Sequence, residues 1–191
     1  MTSAIKQQDV GRARISLTEL LIHNSDTFHA SHVDETMGDG DIIVLGWKTS
    51  NTEKFVHLVT LFASKAGGHL EIFEGSTWGR LTNQTTVNII QHNRNQTAAN
   101  NSGVLENSTQ TAYNAGMKMK ASVAAFQSLV NGTLIFDDYV FGTANKGGGA
   151  GQHDDELILK KDTQYLAKYT ADGASNGGFI RLEWYEYIIV D

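Results

Sequence analysis

The chain contains no cysteine and no proline. Without cysteine the fold has no disulfide bond and no thiolate metal site, which fits a protein made, or a particle assembled, in a reducing compartment. Average proline usage of about 5% would give roughly ten prolines, and their absence means that no slow X–Pro isomerisation limits folding. Turns must therefore come from glycine, asparagine and aspartate, and 19 glycines are available.

Positive charge and long hydrophobic runs are also scarce. The chain has 15 lysines and arginines against 21 aspartates and glutamates, a net charge of −6. This balance argues against nucleic acid as the main partner, because phosphate binding depends on clustered basic residues. No run approaches the roughly 18 apolar residues of a membrane helix, and the first residues lack the apolar stretch of a signal peptide. We therefore expect no nucleic-acid partner and no membrane span.

The 191 residues suit one globular domain. We predict an N-terminal arm at residues 1–24 and a single β-sandwich domain at residues 25–191. Within the arm, "ISLTELLIH" (15–23) is apolar enough to dock on another surface, and its periodicity fits a short helix and an edge strand equally well. The arm also contains the interface candidates, which are basic or apolar: Lys6, Arg12, Arg14, Ile15, Leu17 and Leu20.

Most of the remaining sequence is typical of β-strands. Eight or nine short segments rich in β-branched and aromatic residues recur between Gly/Asn turns, which predicts an all-β antiparallel sandwich. "KFVHLVTLFA" (54–63) is apolar on both faces and is predicted to be a buried central strand. Its glycine turn to "HLEIFEG" (69–75) predicts a hairpin. We also predict one strand at 85–93 and a strand at 132–142 with a kink at Asp137-Asp138.

The segment His153-Asp154-Asp155-Glu156 raises the question of a metal or catalytic site. Adjacent residues on an extended chain point in alternating directions, so the four cannot converge on one ion. Only His153 and Asp155 could share a side, and zinc would need further ligands from elsewhere. The alternative is a loop-to-strand junction whose acids cap the strand or pair with the lysines at 160 and 161. We predict the junction and keep His153 and Asp155 as the metal candidates.

Other site patterns are absent from the sequence. His29 and His32 would lie on opposite faces of a strand, which does not suit a shared metal. The glycine patch at 147–151 lacks the Gly-Lys-Ser/Thr and the following helix of a phosphate loop. No Gly-x-Ser-x-Gly elbow is present. We therefore expect no catalytic residues and no cofactor.

Several segments in order resemble one family. The family pattern has an "-IFEG-" strand end, an Asn-Arg-Asn tract, a glycine loop, a "-DEWIL-x-x-x-T-x-YLL-" hairpin and a terminal "-LEWYE-" strand. The matching stretches are Ile72–Gly75, Asn93–Asn95, Gly147–Gly151, Asp154–Leu166 and Leu182–Glu186. In this pattern the chain, over about residues 26–187, resembles the head decoration (cement) proteins of tailed bacteriophages. It departs from the pattern at Lys161-Asp162, where a proline is usual.

The resemblance implies a jelly-roll β-sandwich on the outside of a capsid shell, without enzymatic activity. It implies the major capsid protein as partner, a homotrimer at threefold sites, and a virion location after assembly in the host cytoplasm. The arm could reach an acidic capsid surface or add a strand to a neighbour's sheet edge.

Two other readings of the sequence stay open. One is a phage fibre or tail-associated receptor- or carbohydrate-binding sandwich, which an exposed Trp47 or Trp78 beside Asn and Asp would favour. The other is a metal-dependent enzyme, which would need at least three ligands to converge among His29, His32, His57, His69, His92, His153 and Asp155.

Overall fold

The computed structural model describes residues 21–51, 53–76, 85–95, 104–105, 116–120, 132–141, 148–150 and 156–187. Residues 21–23 are helical, so the described end of the 15–23 segment is a helix and not a strand. The strands are β1 Thr27–Met37, β2 Ile42–Thr49, β3 Phe55–Ser64, β4 Gly67–Glu74, β5 Thr85–Asn88, β6 Ile90–Gln91, β7 Val104–Leu105, β8 Gly116–Lys120, β9 Thr133–Phe141, β10 Gly148–Ala150, β11 Leu157–Leu159, β12 Gln164–Ala171 and β13 Asn176–Tyr187.

These strands form two antiparallel sheets that pack face to face. The first sheet has the order β10-β3-β13-β1-β6, and β11 also pairs with β3. The second has the order β5-β8-β2-β12-β4-β9, and β7 also pairs with β2. Residues from both sheets share one buried apolar cluster. The predicted all-β antiparallel sandwich is therefore confirmed.

The pairing of the strands is nested. Strand β1 pairs with β13, β2 with β12, β3 with β11 and β4 with β9. Within the described residues, no two strands that follow each other in the chain pair together. This is a long antiparallel hairpin rolled up so that its strands alternate between two sheets, which is the jelly-roll arrangement.

The rolling makes three local predictions wrong. Strands β3 and β4 are not a hairpin, since the chain crosses from the first sheet to the second at residues 65–66. The hairpin implied for β11 and β12 fails in the same way. The segment at 85–93 is split into β5 and β6, which belong to different sheets. Each crossing lets the two connected strands lie in facing sheets, so that the buried face of one sheet covers that of the other.

The kink predicted in β9 lies elsewhere. Asp137 and Asp138 stand in regular register opposite Glu71 and Leu70. The register shifts instead at Ile135, which is an extra residue of β9. Its neighbours Leu134 and Phe136 pair with the adjacent β4 residues Phe73 and Ile72. Such a bulge bends the strand and strengthens its twist.

The core follows the predicted alternation. In β13, every second residue is buried, and Ile180, Leu182 and Trp184 are at most 3% exposed. Trp184 stacks on Phe28 with ring centroids 5.8 Å apart. Strand β3 pairs with strands on both sides, which confirms it as a buried central strand.

A buried asparagine joins two of the crossings between the sheets. Asn176 is 0% exposed and begins β13. Its amide nitrogen donates to the carbonyl of Gly67 at 2.7 Å and to that of Asp172 at 2.8 Å. Its carbonyl oxygen accepts the backbone N–H groups of Ala66 and Gly177, each at 2.8 Å. One side chain thereby satisfies backbone groups of the β3–β4 corner and of the β12–β13 corner.

Tyr169 fills the space beside this corner. It is 0% exposed, and its hydroxyl lies 3.3 Å from the Gly67 carbonyl, to which it donates. Two glycines make room for its ring. A Cβ at Gly68 or at Gly178 would come within 2.3 Å of the Tyr169 side chain. The glycines therefore serve packing between the sheets here, since the neighbouring ring occupies the space of a side chain.

We expect Asn176→Ala to lower the free energy of unfolding by roughly 3 kcal/mol or more, since each buried polar group left without a partner costs about 1–3 kcal/mol. Urea unfolding followed by tryptophan fluorescence measures this loss. Asn51→Ala, at an exposed position, is the matched control and should change stability by less than about 0.5 kcal/mol. Equal effects of the two substitutions would show that the corner network does not stabilise the fold.

We expect Trp184→Ala to cost about 3–5 kcal/mol, because it empties a large site in the core. The same urea titration checks it. Ile158→Ala is the control, since Ile158 is 60% exposed. An unchanged midpoint for Trp184→Ala would contradict its placement in the core.

Candidate functional site

The candidates named from the sequence fall largely outside the described residues. Lys6, Arg12, Arg14, Ile15, Leu17 and Leu20 lie in residues 1–20, and His153 and Asp155 lie in residues 151–155. Of the His-Asp-Asp-Glu segment, only Glu156 is described. Lys160 pairs with Glu74 at 2.6 Å, and Lys161 donates to the backbone carbonyl of Glu53 at 3.1 Å. Neither printed contact of these lysines is with Glu156, and the other two acids of the segment, Asp154 and Asp155, lie outside the described residues.

Glu156 instead holds a buried histidine on the outer face of the first sheet. Its carboxylate bonds to Nδ1 of His57, and the hydroxyl of Tyr185 donates to its two oxygens at 2.7 and 2.8 Å. His57 is 3% exposed, and its ring packs against those of Tyr185 and Tyr187, with centroids 4.7 and 4.6 Å away. The two tyrosine rings are themselves neighbours, with centroids 6.0 Å apart. Burial, then the Glu156 carboxylate, raise the pKa of Tyr185, so its hydroxyl stays protonated as a donor.

This arrangement orients an imidazole as a carboxylate does in many active sites. Within the described residues, however, Nε2 of His57 is buried without a hydrogen-bond partner. A histidine that is 3% exposed offers almost no surface to a substrate. The group therefore fixes the end of β11 onto β3 and β13. Sequence analysis missed it because Glu156 and His57 are far apart in the chain.

A pair of histidines, His29 and His92, lies on the same face of the first sheet as His57. The rings of His29 on β1 and His92 beyond β6 have centroids 4.9 Å apart. Burial, then Arg181 and His92, lower the pKa of His29, and Glu183 opposes them. Burial and Arg181 also lower the pKa of His92 against the effect of Glu183. His29 faces Glu183 and His32 faces Ile180, so the two β1 histidines lie on opposite faces as predicted.

Neither the His57–Glu156 group nor the His29–His92 pair forms a metal centre in the described part of the chain. No three His, Cys, Asp or Glu side chains meet there in a way that could hold an ion. Among the same residues, no helix is long and apolar enough to cross a membrane. A wide, shallow groove of about 400 Å³ lies on the first sheet between Val33, Ala63 and Phe179. Its polar lining residues are Asp34, Glu35, Ser64 and Lys65.

The feature that stands apart is the outer side of β9. This strand is the last of the second sheet in the described residues. Leu134 is 45% exposed, Tyr139 49% and Phe141 89%. Asp137, half-exposed on the same face, is the kind of charge that normally protects an edge strand. Soluble monomers nevertheless rarely expose a side chain as large and apolar as Phe141 to this degree. We call these three side chains the β9 patch.

The β9 patch is held in place before any partner arrives. The ring of Tyr139 lies on that of His69 with centroids 3.9 Å apart and an angle of 5° between them. Nε2 of His69 bonds to Asp137, which fixes the imidazole in turn. Phe141 lies nearly parallel to Tyr139, with centroids 6.2 Å apart. Ordering the tyrosine in advance reduces the entropy that binding would otherwise cost.

The position of the β9 patch could not be read from the sequence. "TLIFDDYVF" has apolar side chains on both faces and is equally typical of an interior strand. Exposure follows only from its place at the end of the sheet. A comparison with protein-family models, with curated proteins and with solved structures finds no match to this chain.

We expect acid to destabilise the fold through His29 and His92. Their pKa values are lowered in the folded state, so the unfolded chain takes up protons first as the pH falls below its ordinary histidine value of about 6.5. The free energy of unfolding should therefore decrease from about pH 7 to about pH 5. Urea titrations at stepped pH, compared with those of the His29→Gln/His92→Gln variant, measure this effect.

The double variant should make that part of the profile shallower. Burial also lowers the pKa of His32 against the effect of Asp34, so His32 keeps part of the acid dependence. His23→Gln, a change at an exposed histidine, is the control and should leave the profile unchanged. A double variant with the full acid dependence of the parent would assign the effect to other groups.

Proposed function

We propose that this chain is a structural virion protein that binds the outside of a phage capsid and stabilises it, with no enzymatic role. Its partner in this proposal is the major capsid protein, and it acts as a homotrimer at threefold sites of the shell. The proposal starts from the resemblance of its strand and loop motifs to head decoration proteins. The jelly-roll sandwich is the architecture that this resemblance implies.

The β9 patch is the observation that carries the proposal. A side chain such as Phe141, 89% exposed on a sheet edge, makes a protein prone to association unless another protein covers it. A component of a shell meets that condition, because it is used in many copies beside one another and beside the capsid lattice. The protein then needs a stable sandwich and adhesive edges, and it needs no cleft with convergent ionisable groups.

One of the two exposed tryptophans that would favour a fibre or carbohydrate-binding protein is in fact buried. Trp47 was to stack on sugars from an exposed position, but it is 1% exposed and stacks on Tyr165 in the core with centroids 5.5 Å apart. A ring enclosed in this way cannot meet a ligand. Trp78, the other support, lies outside the described residues. The decoration role is therefore the better supported of the two.

The test is co-sedimentation of the purified protein with capsids that lack it, followed by a count of bound copies per capsid. We expect saturation at three copies per threefold site of the shell and a higher temperature of shell rupture. Capsids that already carry the protein are the control and should bind no more. No binding, or a few copies confined to one vertex, would contradict the proposal and direct attention to the tail.

A further inference from the structure

We infer that the outer face of the first sheet, the face turned away from the core, pairs with the same face of a second copy about a twofold axis. The axis lies between the two copies and crosses the strands at the level of Leu182. The contact uses a different surface from the β9 patch and does not depend on the proposed function. A twofold contact doubles the copy number of any assembly that the rest of the molecule forms, so its failure would leave the capsid proposal untouched.

The outer face is large enough for a stable contact. Its three long strands, β1, β13 and β3, have 11, 12 and 10 residues. At about 3.3 Å per residue and about 4.8 Å between strands, they and the short strands beside them form a face of roughly 35 by 20 Å, or about 700 Å². A standard interface buries about 800 Å² on each partner.

The same face is more apolar than a face that meets only water. Outward side chains of a solvated sheet are normally polar. Here Val33 is 51% exposed and Ile90 is 40% exposed, and Leu61, Phe179 and Tyr187 are partly exposed. Their strand pairing places all five on this face. Apolar surface of this extent is typical of a site that another protein covers.

The two ends of β13 differ in shape on this face. At one end Gly177 has no side chain, and it lines the groove of about 400 Å³ together with Val33 and Phe179. We call this the hollow end. At the other end the rings of Tyr185 and Tyr187 are nearly parallel, with centroids 6.0 Å apart. We call this the aromatic end.

A twofold axis across the strands at Leu182 places the aromatic end of each copy on the hollow end of the other. Residues equally far before and after Leu182 then face each other across the interface. Tyr187 therefore lies over Gly177, and Tyr185 lies over Phe179. Two pairs of rings fill two hollows, which gives the close packing that the centre of an interface requires.

Charge favours the same axis. Arg181 and Glu183 stand between the two ends, paired at 2.6 Å, with side chains that are 35% and 30% exposed. They lie one residue to either side of Leu182, so each arginine would face the glutamate of the other copy. The four groups then alternate in sign, and each carboxylate gains a second guanidinium. An axis along the strands would instead place arginine over arginine and hollow over hollow.

The histidines beside this pair preserve the match near neutral pH. His29 lies on β1 opposite Glu183, and its ring is next to that of His92. Burial lowers the pKa of both histidines below its ordinary value. Both rings are therefore neutral at pH 7 and add no positive charge to that of the arginines.

A second copy fits this face better than an unrelated protein. The hollow end, the charged pair and the aromatic end follow one another along β13, and the reversed order is their own complement. A different partner would have to present the same three features in that order, whereas a second copy already has them. Self-complementary patches of this kind form isologous dimers, the commonest contacts of homo-oligomers.

Charge reversal tests the contact. We expect Arg181→Glu and Glu183→Arg, each alone, to weaken the pairing more than roughly tenfold, because like charges then face each other across the axis. An equal mixture of the two variants should pair again, since one copy then has two acids at these positions and the other has two arginines. The pair within each chain stays broken in the mixture, so only a contact between copies can restore the pairing.

Sedimentation equilibrium of the free protein measures the result. The mass of the parent and of the mixture should be twice that of either variant alone. Native mass spectrometry with one variant ¹⁵N-labelled should find equal numbers of the two variants in the restored assembly. The double variant Arg181→Glu/Glu183→Arg exchanges both charges and should pair with itself as the parent does.

Lys160→Glu is the control for charge reversal elsewhere. The Lys160 side chain is 72% exposed and bonds to Glu74 of the second sheet. This variant should keep the mass of the parent. Circular dichroism verifies that every variant is folded.

A cross-link gives an independent readout, because the chain has no cysteine. Ser31 is exposed and pairs with Arg181, so it lies one position from the axis on β1. With facing sheets about 10 Å apart and residues about 3.3 Å apart, the two copies of position 31 are roughly 12 Å from each other. We expect a bismaleimide of that span to link Ser31→Cys to itself. Asn51→Cys, exposed beside β2 of the second sheet, is the control and should not be linked.

Restored mass in the mixture together with the link at position 31 would establish the twofold contact. Folded single variants that keep the mass of the parent, or a mixture that stays at the lower mass, would overturn it. The absence of a link from Ser31→Cys, or a link that persists when Arg181→Glu is added to the same chain, would overturn it as well.

Discussion

The jelly roll depends on one buried side chain at the corner where the chain changes sheets twice. Asn176 satisfies backbone groups on both the β3–β4 and the β12–β13 connections. Chain reversals between sheets leave backbone groups that no strand can pair, and burial makes each of them costly. The side-chain amide of Asn176, which has both donors and an acceptor, supplies hydrogen-bond partners for the backbone groups of both connections. The ring of Tyr169 then fits against Gly178 and Gly68 because the corner is held closed.

The closed interior determines where the molecule can interact. The polar side chains that come together on the first sheet, Glu156, His57 and Tyr185, are used to fix strands to one another. Trp47, whose exposure would have favoured a carbohydrate-binding protein, lies in the core. Among the described residues, the β9 patch is exposed at the border of the second sheet.

The sequence predicted the parts of the fold that depend on neighbouring residues. The short segments rich in β-branched and aromatic residues predicted an all-β sandwich, and the doubly apolar pattern made 54–63 a central strand. It failed where two segments far apart had to be paired. The glycines at 67 and 68 predicted a hairpin between β3 and β4, yet they serve a crossing and the packing of Tyr169. The contact of Glu156 with His57 was likewise invisible, since nothing local to either residue requires the other.

The sequence by itself determined an all-β chain free of disulfides and proline, the inward faces of its strands and the basic and apolar character of residues 12–20. These follow from composition and from the period of two along a strand. Only the tertiary structure decided which strands pair, which histidines meet and which apolar strand stays at an edge. The physical reason is that alternation specifies the face a residue takes, while exposure depends on which strands lie beside it, and that is set by the rolling of the whole chain.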